Sequence, residues 1–289
     1  MAKVYVKFPK TGLGNMLLVW ANGLVFAEIN NLPMATSSWW GFRWGALLRR
    51  EKRNRLYYHY FKETAVAKRL LFQLGLFTGP VVNDPPVEKL TAAEIAACKT
   101  YLFKKVINDI DLFGSLRNHR DLIKAQLFEI LHASKKEQLI KYKTPIIGVH
   151  IRRGDFKIGN QTTPLSYFIN AINLIRKNTS AVLPVTVFTD AEKSELKEIL
   201  DLSHIEIAED KADILDILLM SKSRILILSQ SSTFSYWAAF LSDAFVIIPF
   251  NDWQQQLRKP GKNYAEIKWN EAEPQSGIEV AKLLKNLDL

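Results

Sequence analysis

The sequence predicts an α/β protein built on parallel sheets, from three observations. Between residues 146 and 248, short β-branched runs alternate with segments of helical pattern five times over. Near the N-terminus an alternating run, a Gly-rich turn and a helix follow one another. The chain has 289 residues, enough for two domains at about 100–200 residues each. Strands that alternate with helices in this way imply βαβ units, with helices on both faces of the sheet.

Each element has a local reason. Val4 to Phe8 alternates like a strand. Thr11-Gly12-Leu13-Gly14-Asn15 is a Gly-rich turn, and a helix is predicted from about Met16 to Asn30. Thr91-Ala92-Ala93-Glu94 is a capping box that opens another helix. Arg117 to Ala133 is helical in pattern, and the polar, Lys-rich stretch from Ser134 to Thr144 reads as a linker. Ile146 to Ile151 is a buried strand. Thr163, as N-cap, and Pro164, in the first turn, open a helix to about Lys177. Strands follow at Pro184–Phe188, Ile205–Ala208, Arg224–Leu228 and Phe245–Ile248. Helices lie between them: one capped by Asp190 and running to about Leu200, one at Lys211–Ser221 and one at Ser232–Leu241. A last helix covers Gly277–Leu287. The expected division is an N-terminal Rossmann-like domain over 1–140 and a C-terminal domain over 141–275. The helix within 276–289 is expected to pack back on the N-terminal domain.

Composition narrows the function classes. Hydrophobic residues are 48% and charged residues 24%, which fits globular domains and excludes collagen-like or long disordered chains. The single cysteine, Cys98, excludes a disulfide framework and a Cys-rich zinc site. The N-terminus lacks the apolar stretch of a signal peptide, so a cytoplasmic protein is expected. The formal net charge is +10. Residues 1–140 hold 21 Lys/Arg against 11 Asp/Glu, and residues 141–289 hold 18 against 18. Much of the excess lies in residues 43–69, interleaved with aromatics such as Trp44, Tyr57 and Phe61. Two readings stand: solvated helix faces with core aromatics, or contact with an anionic membrane surface or lipid-pyrophosphate carrier. No recognised motif supports nucleic-acid binding.

The residues that carry chemistry follow strand ends, where open α/β sheets bind ligands. His150-Ile151-Arg152-Arg153-Gly154-Asp155 leaves the strand at Ile151. His150 and Arg152 share one face, and Arg153 takes the other. An arginine fork there matches phosphate oxygens; equally, a structural Arg–Asp pair fits the same motif. Ser229-Gln230-Ser231-Ser232-Thr233-Phe234-Ser235 follows another strand and opens a helix, an anion-binding arrangement or plain N-capping. Gly12 and Gly14 allow close backbone approach to a ligand. Asp213 and Asp216 lie three apart on one helical face.

Taken together, these segments resemble a known family. Gly148-Val149-His150-Ile151-Arg152-Arg153-Gly154-Asp155-Phe156 resembles the His-x-Arg-Arg-x-Asp signature of α-1,2-fucosyltransferases, glycosyltransferase family 11. Leu13-Gly14-Asn15, Pro164-Leu165-Ser166-Tyr167-Phe168 and Phe188-Thr189-Asp190 are similar to further family segments in the same order. So are Asp216-Ile217-Leu218-Leu219-Met220-Ser221 and Ser231-Ser232-Thr233-Phe234-Ser235-Tyr236-Trp237. The resemblance covers about residues 145–250 plus the first turn.

It implies a GT-B arrangement and inverting, metal-independent transfer of fucose from GDP-fucose, with α-1,2 linkage to a galactoside. His150 and Asp216 would contact guanine, and Arg152 would hold the β-phosphate as the catalytic cation. Ser232, Thr233, Phe234 and Ser235 would line the nucleotide and pyrophosphate, with Gly12 and Gly14 on the other domain. Asn15, Arg153, Asp155 and Asp190 complete the donor-binding set. Some relatives have a glutamate base five residues after the motif's Asp. That position here is Asn160, which cannot serve, so no base is assigned. Tyr236 and Ala238 replace the usual Trp and Gly, consistent with another acceptor or another GDP-sugar. Two further readings are a catalytically silent nucleotide- or glycan-binding protein and a basic peripheral membrane protein on the same scaffold. The expected partners are GDP-fucose, a glycan acceptor on a lipid carrier, and an anionic membrane through residues 43–69.

Overall fold

A computed structural model describes residues 1–41, 56–106, 111–154, 162–179, 182–209, 211–261 and 265–285. Arg43, Arg49, Arg50, Lys52, Arg53 and Arg55 of the basic stretch lie outside these residues, as do Asp155 and Asn160. The chain forms two compact units that divide between Gln138 and Leu139.

The first unit is a four-stranded parallel sheet in the order β2-β1-β4-β3, from β1 (Lys3–Val6), β2 (Met34–Thr36), β3 (Val81–Asn83) and β4 (Thr100–Phe103). The helix α1 (Leu13–Ile29) connects β1 to β2. It is buried along nearly its whole length. Asn22, inside it, is satisfied by the Leu18 carbonyl at 2.9 Å and by Ser115 Oγ at 2.9 Å. A Cβ at Gly23 would meet Val6 Cγ2 at 2.5 Å, so glycine allows helix and strand this approach. Val4, Val6, Phe26, Tyr101 and Phe103 fill one side of the sheet. On the other, α2 (Val66–Leu74) presses Phe72 against Tyr5, Ala35 and Leu102. The capping box holds as expected at α3 (Ala92–Ala97): Glu94 N–H donates to Thr91 Oγ1, and Thr91 N–H donates to the Glu94 carboxylate. Then follow α4 (Arg120–Ile130) and α5 (Ala133–Lys141). The stretch read as a linker is therefore largely helical. Its residues are good helix formers, but only Leu139 is buried, so the apolar period that marks a helix is missing. Trp39 lies between Phe8 and Phe61, with ring centroids at 4.0 and 4.2 Å; Trp39, Tyr57 and Phe61 are core, whereas Trp40 and Tyr58 of the same stretch are exposed.

The second unit is a six-stranded parallel sheet in the order β10-β9-β8-β5-β6-β7. Its strands are β5 (Ile147–Ile151), β6 (Val185–Thr189), β7 (Ile205–Ile207), β8 (Ile225–Ile227), β9 (Phe245–Pro249) and β10 (Glu266–Trp269). The connecting helices are α6 (Leu165–Lys177), α7 (Lys197–Leu200), α8 (Asp213–Met220) and α9 (Thr233–Leu241), and α10 (Pro274–Leu284) closes the unit. Ile147, Val149, Ile151, Val187 and Ile227 bury one face with Phe168, Ile172 and Ile175 of α6. Both faces are covered, which is why these strands read as continuous apolar runs. Val280 and Leu284 of α10 join this same core, which corrects the expectation that the last helix packs on the N-terminal domain. Two caps also differ from expectation. Pro164, not Thr163, occupies the N-cap of α6. Asp190 caps nothing; the turn before α7 is capped reciprocally by Glu192 and Glu195.

Candidate functional site

Strand order decides where a ligand can bind. The chain starts the second sheet at β5, adds β6 and β7 on one side, then crosses to β8, β9 and β10 on the other. The loops after β5 and β8 therefore leave the sheet in opposite directions. The crevice between their carboxyl ends is the ligand position of open α/β sheets. His150, Arg152, Arg153 and the serine-rich segment 229–235 all lie there.

The two loops are tied to each other. Ser229 Oγ donates to the His150 carbonyl at 2.7 Å and accepts the Arg152 N–H at 2.9 Å. Thr163 Oγ1 accepts the Gln230 N–H at 2.9 Å, and its carbonyl accepts from Arg153 Nη1 at 2.8 Å. Thr163 thus braces both loops instead of capping α6. Burial lowers the Arg153 pKa, opposed by Glu195 and Asp190 nearby.

Asp190 is the hub for the two arginines. Its Oδ2 lies 2.5 Å from Arg152 Nη1, and its Oδ1 accepts the Arg153 N–H at 2.7 Å. A Cβ on Gly154 would overlap the Asp190 carboxylate, so glycine follows the arginines for a steric reason. Among the described residues, the carboxylate that pairs with the motif is Asp190, just after β6; Asp155 lies outside them.

His150 is buried, and burial with the Arg152 charge lowers its pKa to about 3. It is neutral at physiological pH. Its ring stacks on Phe234 with centroids 5.2 Å apart, and its Nδ1 is buried without a hydrogen-bond partner. An unpaired buried polar atom is costly.

Register places a second polar group on the same face. His150 pairs with Phe188 across β5 and β6, so their side chains point to one side of the sheet. Lys211 Nζ lies 5.4 Å from the Phe188 ring centroid, 5.0 Å from that of Tyr142, and 3.2 Å from Asp216 Oδ1. Both charged side chains are buried. Asp213, one turn earlier, is the first residue of α8. Lys211 escaped the sequence reading because a lone lysine before a helix carries no motif; only its pairing identifies it.

Asp252 also escaped it. This buried carboxylate accepts the Ser231 N–H at 3.0 Å, the Tyr236 hydroxyl at 2.5 Å and the Gln254 N–H at 2.9 Å. Burial and this neighbouring charge raise the Tyr236 pKa. Ser231 is held at φ 55°, a left-handed conformation rare outside glycine. The strained turn and the clamp set the entry to α9. Ser232 is its N-cap, but no side chain caps the helix, so simple N-capping does not describe the segment. The first-turn N–H groups at Thr233, Phe234 and Ser235 favour an anion.

In the first unit, Gly12 is the N-cap of α1, and Gly14 and Asn15 lie in its first turn. The helix starts three residues earlier than expected, and no glycine there needs positive φ. Thr11 Oγ1 is buried without a partner at this terminus. Among the described residues, no three His, Cys, Asp or Glu side chains gather as a metal site.

A model of the family described as "Glycosyl transferase family 11" matches residues 87–273, well over half the chain. Solved structures are similar in fold. The fucosyltransferase NodZ from Bradyrhizobium is 14% identical, with a TM-score of 0.54 over 84% of this chain and 94% of that one. NodZ α-1,6-fucosyltransferase soaked with GDP-fucose gives 0.52 at 13% identity over 85% and 95%. Arabidopsis thaliana FUT1 with GDP gives 0.50 at 14% identity over 91% and 73%. No curated protein matches the sequence.

Proposed function

The chain belongs to glycosyl transferase family 11, and from that premise we propose that it transfers fucose from GDP-fucose to a hydroxyl of a glycan acceptor, with inversion and without a metal ion. The observation that carries this reading is the cluster at the switch between β5 and β8. A neutral, unpaired imidazole, an arginine fixed by a carboxylate and an uncapped helix N-terminus converge there. Such a set suits a base joined to a pyrophosphate.

In the proposed mechanism, the acceptor oxygen attacks the anomeric carbon of fucose as the bond to the β-phosphate oxygen breaks. The electron pair of that bond leaves with GDP, and the acceptor proton passes to a base or to solvent. Charge grows on the β-phosphate, and Arg152 meets it in an orientation set by Asp190. One pre-oriented donor of this kind contributes about 3–4 kcal/mol. His150 and Asp216 are assigned to guanine, and Ser232 to Ser235 to the phosphates. Gly12, Gly14 and Asn15 are assigned to donor binding on the motif resemblance. The α-1,2 linkage, the galactoside acceptor, its lipid carrier and a cytoplasmic location rest on sequence alone.

Thermal-shift measurements with GDP, GDP-fucose, GDP-mannose, UDP-glucose and ADP, each with and without EDTA, test this. Stabilisation by GDP and GDP-fucose, unchanged by EDTA and lost in Arg152→Ala, is the expected result. Transfer of labelled fucose to a galactoside then tests acceptor and linkage. No response to any guanine nucleotide refutes the reading.

A further inference from the structure

We infer that α2 and the turn after it form a docking face for an anionic lipid bilayer. The helix docks on the sheet through Phe72 and turns its larger apolar surface outward. Val66, Leu70 and Leu74 follow one another at four-residue spacing, with Leu71 beside them and Phe77 just beyond. Their exposures are 59, 53, 57, 62 and 84%, respectively. A surface helix normally shows solvent its polar face. A contiguous apolar patch rimmed by polar groups marks a binding surface. An apolar groove lined by Met1, Pro80 and Ile95 adjoins the patch at Thr78 and Gly79.

The rim identifies the occupant. Lys3 Nζ donates to the Leu71 carbonyl at 2.7 Å and sits over the Phe72 ring at 5.1 Å. Lys68 lies over the same ring at 5.8 Å, and Lys99 Nζ donates to the Thr78 carbonyl at 3.3 Å. Arg69 reaches Glu63 at 3.9 Å. Among the described residues, Lys3, Lys68, Arg69 and Lys99 thus lie beside this apolar surface, with Glu63 on Arg69. Apolar side chains entering the acyl boundary, with lysines at headgroup level, are the pattern of an interfacial helix on anionic lipid. The excess of basic residues in 1–140 has the same sign.

The test uses the full chain and vesicles of phosphatidylcholine, alone or with roughly 30% phosphatidylserine. Wild type is expected to co-sediment with the anionic vesicles and to be released by salt. Leu70→Gln/Leu74→Gln should lower that binding at least about tenfold, and Lys68→Gln/Lys99→Gln by about tenfold on the anionic vesicles only. All four positions are exposed or at the surface, so unchanged melting temperatures and GDP shifts serve as folding controls. Equal vesicle binding by wild type and the leucine variant overturns the inference, and so does absence of wild-type binding. A wild-type dimer that becomes monomeric in the leucine variant, without vesicles, assigns the face to self-association and overturns it too. The GDP shift is read separately, so the donor site and this face stand or fall independently.

Discussion

At the scale of single residues, the proposed transfer rests on Arg152 and the Asp190 carboxylate that fixes it. Arg152→Ala should lower kcat by about 10²–10³-fold, the cost of losing one oriented donor, and single-turnover kinetics measures it. Asp190→Asn keeps shape but loosens the guanidinium, so kcat should fall less while the fold persists. His150 sets a pH dependence. Its folded pKa of about 3 lies below the ordinary 6.5, so protonation favours the unfolded chain. Its contribution to stability is complete above pH 6.5 and is lost as pH falls towards 3. The local slope is about 1.4 kcal/mol per pH unit. Denaturation midpoints of wild type and His150→Gln between pH 8 and 4 should therefore converge on acidification. Between pH 7 and 8 this residue should leave GDP affinity unchanged.

At the scale of elements, α8 is anchored by a buried ion pair whose two members do different work. Lys211→Met takes the lysine away from the buried Asp216 carboxylate, and should cost up to about 3–5 kcal/mol. Lys211→Met with Asp216→Leu removes both charges. Urea denaturation should show most of that stability restored, while GDP no longer stabilises the double variant. Recovery of GDP binding in the double variant would remove Asp216 from the donor site. The capping box of α3 is a simpler case. Thr91→Ala removes the acceptor for the Glu94 N–H and should cost about 0.5–2 kcal/mol, measurable by the same denaturation. The expected loss is towards the lower end, because this six-residue helix buries no side chain.

At the scale of the whole molecule, two compact units, each with its own sheet and core, make separable unfolding the natural expectation. Calorimetry should resolve two transitions, and GDP should raise the one belonging to residues 139–289. Ligand at 100 times its Kd adds about 2.7 kcal/mol. A single transition shifted as a whole would mean that the units unfold cooperatively. Among the described residues, no helix is long and apolar enough to cross a membrane.

The sequence by itself determined the alternation of elements from 146 to 248 and the residues of the nucleotide motif. Strands buried on both faces read as unbroken β-branched runs, and β5, β6, β8 and β9 were legible within a residue or two. The strands β2 and β3 were not: unlike the equally short Ile225–Ile227, neither Met34–Thr36 nor Val81–Asn83 is an unbroken apolar run. Nor was α2, whose apolar side chains face outward. Only the tertiary structure decided partners. Nothing local in Asp190 says that it takes Arg152 and the Arg153 N–H rather than capping a helix. Nothing local pairs Lys211 with Asp216 or sets Asp252 beneath Ser231. Those contacts exist because strand order brings distant loops to one end of the sheet, and order is a property of the whole chain. Secondary structure follows from patterns within a few residues; contacts among five separate loops do not.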